Sequence, residues 1–215
     1  VDSILQISCF GDSTGAIYLS VTEGLSPYTY NWSNFAASED VNGLTAGIYT
    51  ITVTDQNSCT ATITNTIVEP DEVIAVFNIS PANCNASNGS ITTIITGGVP
   101  GYSYLWNINV TTPGINNLAA GVYTLTVTDL NGCINQFTAA VNNISAPEIT
   151  VIDSGNVSCN GLNDGFITVS VTGGALPYNY AWTNTPQTGN QITGLAGNIT
   201  YTLTITDSLG CIAIR

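Results

Sequence analysis

Tyr123-Thr-Leu-Thr-Val-Thr-Asp129-Leu-Asn131-Gly132-Cys133 spells a strand followed by its own turn. Apolar residues alternate with threonine at period two, which puts Tyr123, Leu125 and Val127 on one face and the threonines on the other. Asn131-Gly132 then supplies a tight turn, because both residues tolerate positive φ. The same text recurs as Tyr49-Thr-Ile-Thr-Val-Thr-Asp55 and Tyr201-Thr-Leu-Thr-Ile-Thr-Asp207. Upstream, Gly15-Ala-Ile-Tyr-Leu-Ser-Val-Thr, Gly89-Ser-Ile-Thr-Thr-Ile-Ile-Thr and Gly165-Phe-Ile-Thr-Val-Ser-Val-Thr share one slot. Each leads through a Gly- or Pro-marked turn into an aromatic run, Tyr28-Thr-Tyr-Asn-Trp32, Tyr102-Ser-Tyr-Leu-Trp106 or Tyr178-Asn-Tyr-Ala-Trp182. No helical period is sustained anywhere, so the chain reads as all-β.

These motifs recur at one period. Cys9, Cys84 and Cys159 are 75 apart, and Trp32, Trp106 and Trp182 are 74 and 76 apart. Repetition at a fixed period marks an array of like units. We therefore expect three tandem repeats, at 1–69, 70–145 and 146–215. We expect Val1 to fall inside the strand before Cys9, and only four residues follow Cys211. The first repeat is thus expected to be truncated at its start, the third at its end, and the chain to be a window on a longer protein.

Six cysteines recur as Cys9 and Cys59, Cys84 and Cys133, Cys159 and Cys211, with separations of 50, 49 and 52. Even, regular cysteines without a CxxC motif or histidine point to disulfides and an oxidising compartment rather than zinc. Of the 15 connectivities open to six cysteines, repeat symmetry favours two. Pairing within each repeat is the expectation, one disulfide per repeat, closing loops that stabilise by about 4 kcal/mol on the chain-entropy model. Pairing across junctions, Cys59 with Cys84 and Cys133 with Cys159, is the alternative. In an immunoglobulin-like sandwich Cys59 sits at the pole of the last hairpin, so within-repeat pairing obliges the segment after Cys9 to run along the sheet edge.

Six or seven short strands in each repeat make a small two-sheet sandwich, and two details favour the immunoglobulin-like version. Trp32, Trp106 and Trp182 close the third strand, where such domains bury a tryptophan. Tyr49 and Tyr123 follow Ala46-Gly-Ile and Ala120-Gly-Val where a tyrosine corner belongs, while Gly197-Asn-Ile-Thr-Tyr201 carries two extra residues and predicts a looser corner. A unit this small buries roughly 60% of its unfolded surface, so staples or neighbours are needed.

The chain has one basic residue, Arg215, no His and no Met, against 14 acids, for a net charge of −13. Without Lys and Arg it has no means of neutralising phosphate, which excludes nucleic acid as a partner. The lack of a polybasic patch argues against an anionic membrane surface, and no run of about 18 apolar residues is present to insert into a bilayer. The avoidance of Lys and Arg fits life outside the cell among trypsin-like proteases.

The order Cys, Gly, alternating strand, Gly-Gly-x-x-Pro-Tyr-x-Tyr-x-Trp, then Leu-x-Ala-Gly-x-Tyr-Thr-x-Thr-Val-Thr-Asp-x-Asn-Gly-Cys resembles the SprB-type repeats of very large cell-surface adhesins of Bacteroidota. Gly173-Gly174 with Pro177-Tyr178-Asn-Tyr180-Ala-Trp182, and Thr128-Asp129-Leu-Asn131-Gly132-Cys133, carry the resemblance. Glu23-Gly24 departs from it in the first repeat and Pro100-Gly101-Tyr102 in the second. The resemblance implies export by the type 9 secretion system, display on the outer surface through anchoring parts outside this chain, and a role in gliding motility or attachment.

Enzyme chemistry has little to stand on. Without His there is no Ser-His-Asp triad or imidazole base, and cysteines held in disulfides are not nucleophiles. No cofactor is expected, with calcium the one candidate: Glu69, Asp71 and Glu72 lie at the first junction, and Asp55, Asp129 or Asp207 could join Asp12 or Asp164. The competing reading of these aspartates is an Asx-type turn. Tyr28, Tyr30 and Trp32 alternate onto the core-facing side, which argues against a sugar-stacking platform. Eight Asn-x-Ser/Thr sequons are compositional accidents in so Asn- and Thr-rich a chain. Ser3, Ser13 and Ser208 sit in short Asp-Ser motifs similar to the O-glycosylation sites of exported Bacteroidota proteins.

The expected function is a non-enzymatic stalk within a surface adhesin or filament, with neighbouring repeats as its first partners and surface glycans or other adhesin copies as further ones. The alternatives are a glycan- or protein-binding module, or an accessory region of a secreted enzyme. Trypsin is expected to release no internal peptide from either the folded or the reduced, unfolded chain; internal fragments by mass spectrometry would overturn the protease-avoidance reading.

Overall fold

Each alternating stretch becomes a strand. A computed structural model describes residues 1–215, all in strands, turns and loops with no helix. The first repeat contributes β1 (Ser3–Leu5), β2 (Gly15–Tyr18), β3 (Thr29–Trp32), β4 (Val41–Leu44), β5 (Gly47–Thr54) and β6 (Thr60–Ile67). The middle one contributes β7 (Ile74–Ser80), β8 (Ala82–Asn83), β9 (Gly89–Thr96), β10 (Ser103–Trp106), β11 (Ile115–Leu118), β12 (Gly121–Thr128), β13 (Ile134–Val141) and β14 (Asn143–Ile144). The third contributes β15 (Glu148–Gly155), β16 (Gly165–Thr172), β17 (Asn179–Trp182), β18 (Gln191–Leu195), β19 (Leu203–Thr206) and β20 (Ile212–Ile214).

Strand order repeats three times. One sheet runs β1-β2-β4, β7-β9-β11 and β15-β16-β18; the other runs β3-β5-β6, β10-β12-β13 and β17-β19-β20. The third long strand of each repeat thus leaves its sequence neighbours and pairs with the last hairpin, the partition found in immunoglobulin-type sandwiches. The chain divides into two compact units, one of residues 1–76, 94–111 and 125–137, the other of residues 77–93, 112–124 and 138–215. The middle repeat contributes to both.

In the first unit Ile17, Val41 and Leu44 from one sheet meet Trp32, Ile51 and Ile67 from the other in a single core that also takes in Ile7. Register explains the selection: Trp32 pairs with Ile51, and Ile51 with Ile63. Side chains therefore share a face at every second position, as the sequence pattern requires. The threonines on the opposite face also pair, Thr50 with Thr64 at 2.9 Å and Thr52 with Thr62 at 3.1 Å. In the second unit Val169, Leu203 and Ile205 are buried against Tyr178, Tyr180 and Trp182. Trp32 and Trp106 are fully buried, whereas Trp182 is only half-buried.

Two tyrosine corners form as expected. The Tyr49 hydroxyl donates to the Thr45 carbonyl at 3.0 Å, and Tyr123 to Ala119 at 2.9 Å. In the third repeat the two extra residues reverse the bond, so that Tyr201 accepts from the Ala196 N–H at 3.0 Å.

The expected pairing of Cys9 with Cys59, Cys84 with Cys133 and Cys159 with Cys211 is overturned, and so is the junction alternative. Cys9 bonds Cys133, with Cα atoms 5.6 Å apart, and Cys84 bonds Cys211, at 5.2 Å. Cys59 and Cys159 are exposed thiols. The first cysteine of one repeat is therefore bonded to the second cysteine of the next.

The reason lies in the length of the last hairpin. A Cβ on Gly15, just after the Cys9 loop, would meet Ile67 at 2.8 Å, and Ile67 pairs with Gly47 at the base of that hairpin. Cys59 adjoins Thr60, which pairs with Thr54 at the tip. An eight-residue strand separates base from tip, about 25 Å at strand rise. Disulfides need Cα atoms within about 7 Å. The first sandwich thus carries Cys9 and Cys59 at opposite poles, and neither can reach the other.

The bridges close loops spanning 124 and 127 residues. On the chain-entropy model each contributes about 5 kcal/mol when formed alone. Thiol titration of the native chain is expected to find two reactive thiols, and peptide mapping to recover Cys9–Cys133 and Cys84–Cys211. Recovery of Cys9–Cys59 would reject this topology.

Candidate functional site: the cysteine-bearing poles

The second cysteine of every repeat sits on one recurring turn. The Asp129 carboxylate accepts the Cys133 N–H at 2.9 Å and the Val99 N–H at 2.9 Å. Asp207 accepts from Cys211 at 2.8 Å, Leu209 at 2.9 Å and Ala175 at 2.9 Å. Asp55 accepts from Cys59 at 2.9 Å, Asn57 at 2.9 Å and Leu25 at 3.2 Å. The aspartate N–H donates in turn to the cysteine carbonyl at 3.0 to 3.1 Å in all three. The carboxylate therefore ties the last hairpin's tip to the loop that precedes the aromatic strand.

Glycine is required where that loop crosses. Gly98 and Gly174 have φ of +60° and +65°. A Cβ there would stand 2.8 Å from the Asp129 carboxylate or 2.9 Å from that of Asp207, and as close to Val73 or Pro147. The first tyrosine of the aromatic run fastens the same loop, Tyr102 donating to the Gly97 carbonyl at 2.6 Å and Tyr178 to the Gly173 carbonyl. These tyrosines act as turn clasps.

The first cysteine sits on a loop held by the segment that follows the last strand. The Ile7 N–H donates to the Val68 carbonyl at 3.1 Å, the Val68 N–H to the Gln6 side chain at 2.7 Å, and the Gly11 N–H to the Glu69 carboxylate at 2.7 Å. In the middle repeat the matching segment pairs in parallel as β8 with β14, and Asn143 takes the place of Glu69 through the Asn85 N–H and side chain. Asn131 reaches from the middle repeat's turn to the Ser8 carbonyl at 2.9 Å, beside the Cys9–Cys133 bridge. Gln6 and Asn143 were not singled out in the sequence. Their signal was positional, one residue of amide or acid character at the same phase of two repeats.

The calcium candidates have these places. Asp55, Asp129 and Asp207 hold turns; Asp164 accepts the Ser158 N–H at 2.9 Å and the Ser158 hydroxyl; Glu69 holds Gly11. Asp12, Asp71, Glu72 and Asp129 line one cleft with Cys9 and Cys133. No group of three or more acidic, cysteine or histidine side chains is gathered closely enough to hold an ion. Ser3, Ser13 and Ser208 are all exposed, and Ser208 donates to the Ala175 carbonyl at 3.2 Å.

Hydrogen bonding sets the acidity of these groups. For Asp55 the Cys59 and Leu25 N–H groups hold the carboxyl below its ordinary value. For Asp129 and Asp207 burial works the other way, but the N–H donors outweigh it and both lie below the usual range. For a group depressed on folding, stability is present above the unfolded value of about 3.9 and is lost as pH falls through the folded one. Asp129→Ala should cost about 2 kcal/mol at neutral pH, measured by denaturant unfolding with both bridges intact, because two N–H donors lose their partner. The gap from wild type should shrink below about pH 4, while Asp12→Ala should be near neutral throughout. A pH-independent gap would reject the clamp.

The SprB repeat family model matches residues 2–37, 76–111 and 151–187, three windows covering just over half of the chain. Each contains the first cysteine and the aromatic strand. No curated protein matches. Among solved structures, the N-terminal eight immunoglobulin domains of Down syndrome cell adhesion molecule isoform 1.30.30 align over 98% of this chain and 35% of theirs, at 14% identity and TM-score 0.43. Extracellular domains 3–5 of Drosophila OTK align over 99% and 94%, at 13% identity and TM-score 0.33. The human desmocollin-1 ectodomain aligns over 87% and 50%, at 14% identity and TM-score 0.32. The chain spans about a third of the length of the first of these, and the immunoglobulin-like assignment rests on its own strand order.

Proposed function

The chain belongs to the SprB-repeat family, and from that premise we propose that it is a non-enzymatic, extracellular segment of an adhesin-type array, an extended stalk whose repeats are covalently stapled in series. The observation that carries this reading is the staggered pairing of Cys9 with Cys133 and Cys84 with Cys211. The two closed loops overlap between Cys84 and Cys133. Three covalent paths therefore run in parallel from one bridge to the other, Cys9 to Cys84, Cys84 to Cys133 and Cys133 to Cys211, and the middle one is the shortest.

Under tension the shortest path sets the limit. If every sandwich unfolds, the span from Cys9 to Cys211 extends by only the Cys84-to-Cys133 path of about 49 residues, about 170 Å, whereas the reduced chain extends over about 202 residues, about 700 Å. A stalk built this way yields little length even when its domains open, which suits a tether between a surface and what it grips. Service in attachment or gliding, and delivery to the outer surface by the type 9 system, complete the proposal.

Single-molecule pulling through the two ends tests it. Total extension is expected to rise about fourfold when reductant is added, in the ratio of the two path lengths above. Equal extensions in both conditions would overturn the series-stapled stalk.

A further inference from the structure

The two exposed thiols are not equivalent surplus. Cys59 occupies the slot of Cys133 and Cys211, and Cys159 the slot of Cys9 and Cys84. Cys59 stands on a loop shaped like those of both its bonded counterparts, and Cys159 on one shaped like that of Cys9. The Cys59 N–H is held by Asp55 at 2.9 Å, as Cys133 is by Asp129 at 2.9 Å and Cys211 by Asp207 at 2.8 Å. The Gln56 N–H donates to the Leu25 carbonyl at 2.9 Å, matching Leu130 to Val99 at 3.1 Å and Ser208 to Ala175 at 3.0 Å.

The other half is preformed as well. The Cys159 carbonyl accepts the Leu162 N–H at 3.1 Å, as the Cys9 carbonyl accepts the Asp12 N–H at 3.2 Å, and Gly161 and Gly11 both take positive φ, +88° and +77°. What differs is cover. Cys133 and Cys211 are buried, whereas Cys59 is exposed on the rim of an open cleft lined by Val21, Tyr28 and Val53. Cys159 is exposed in a second cleft with Val157 and Leu162. The same residue pair that is bonded twice within the chain is thus presented once more, as two separate halves.

We propose that Cys59 and Cys159 are the two halves of a further inter-repeat disulfide, and that the poles bearing them are complementary docking faces for a second copy of this chain. The contact is heterologous, Cys159 of one copy to Cys59 of the next, so each copy can bond two others in a head-to-tail series. A small-molecule disulfide such as oxidised glutathione supplies the oxidation. One cysteine thiolate attacks it, forming a mixed disulfide and releasing glutathione thiolate. The partner cysteine's thiolate then attacks the mixed disulfide, forming the Cys59–Cys159 bond and releasing the second glutathione. The inference rests on the staggered pairing behind the stalk reading, but uses cysteines that reading does not.

The test mixes two variants that cannot extend alone. The 215-residue chains carrying Cys59→Ser or Cys159→Ser are equilibrated in a glutathione redox buffer, separately and together, and resolved without reductant before peptide mapping. The mixture is expected to give Cys59–Cys159 dimers at about tenfold or more over either like-with-like dimer, since docking raises the effective concentration of the matching thiols; the wild type should give a ladder. Like-with-like dimers at the statistical share, a Cys59–Cys159 link within one chain, or no dimer at all would each overturn the proposal. The same maps report Cys9–Cys133 and Cys84–Cys211, whose absence would sink the stapled stalk instead.

Discussion

An eight-residue strand between the base and the tip of the last hairpin governs the rest of this protein. In the first sandwich it sets Cys9 and Cys59 about 25 Å apart, at opposite poles. A cysteine at the tip can bond only to what lies beyond the tip, and in this chain that is the first-cysteine loop of the preceding repeat. Regular spacing along the sequence thus becomes stagger in space. Because the two bridges enclose overlapping stretches, the middle repeat is bounded by both.

With one basic residue in 215, the fold has almost no ion pairs to draw on. Its buried carboxylates are satisfied by backbone N–H groups instead. Asp129 and Asp207 are each 5% exposed, and each joins a hairpin tip to a neighbouring loop. A charged acceptor gives stronger hydrogen bonds than a neutral one, so a single aspartate per repeat can tie the hairpin tip to the loop beside it. The same residue presents the cysteine N–H in a fixed direction, which links local turn chemistry to covalent architecture.

The third repeat shows how far the pattern bends before it breaks. Two extra residues before Tyr201 invert the tyrosine-corner bond, and Trp182 is left half-buried where Trp32 and Trp106 are enclosed. The aspartate turn and its cysteine are unchanged in geometry. The pole is therefore the better preserved part, and the corner the part that tolerates insertion.

Strand, turn and repeat were legible in the residues themselves. Period-two alternation in Tyr123 to Asp129 determined the exposed and buried faces, Asn131-Gly132 the turn, and the recurrence of Trp32, Trp106 and Trp182 the three copies, since each depends only on neighbours along the chain. The sequence also placed the aspartates in turns, but not their second acceptor duty to Val99 or Ala175, because that contact joins segments far apart along the chain. Cysteine pairing lay beyond it altogether. Six equally spaced cysteines are compatible with several symmetric connectivities, and the choice depends on which end of a sandwich each occupies. Only the paired strands, with Ile67 opposite Gly47 and Thr60 opposite Thr54, put Cys9 and Cys59 at opposite poles and so sent each bond to the next repeat.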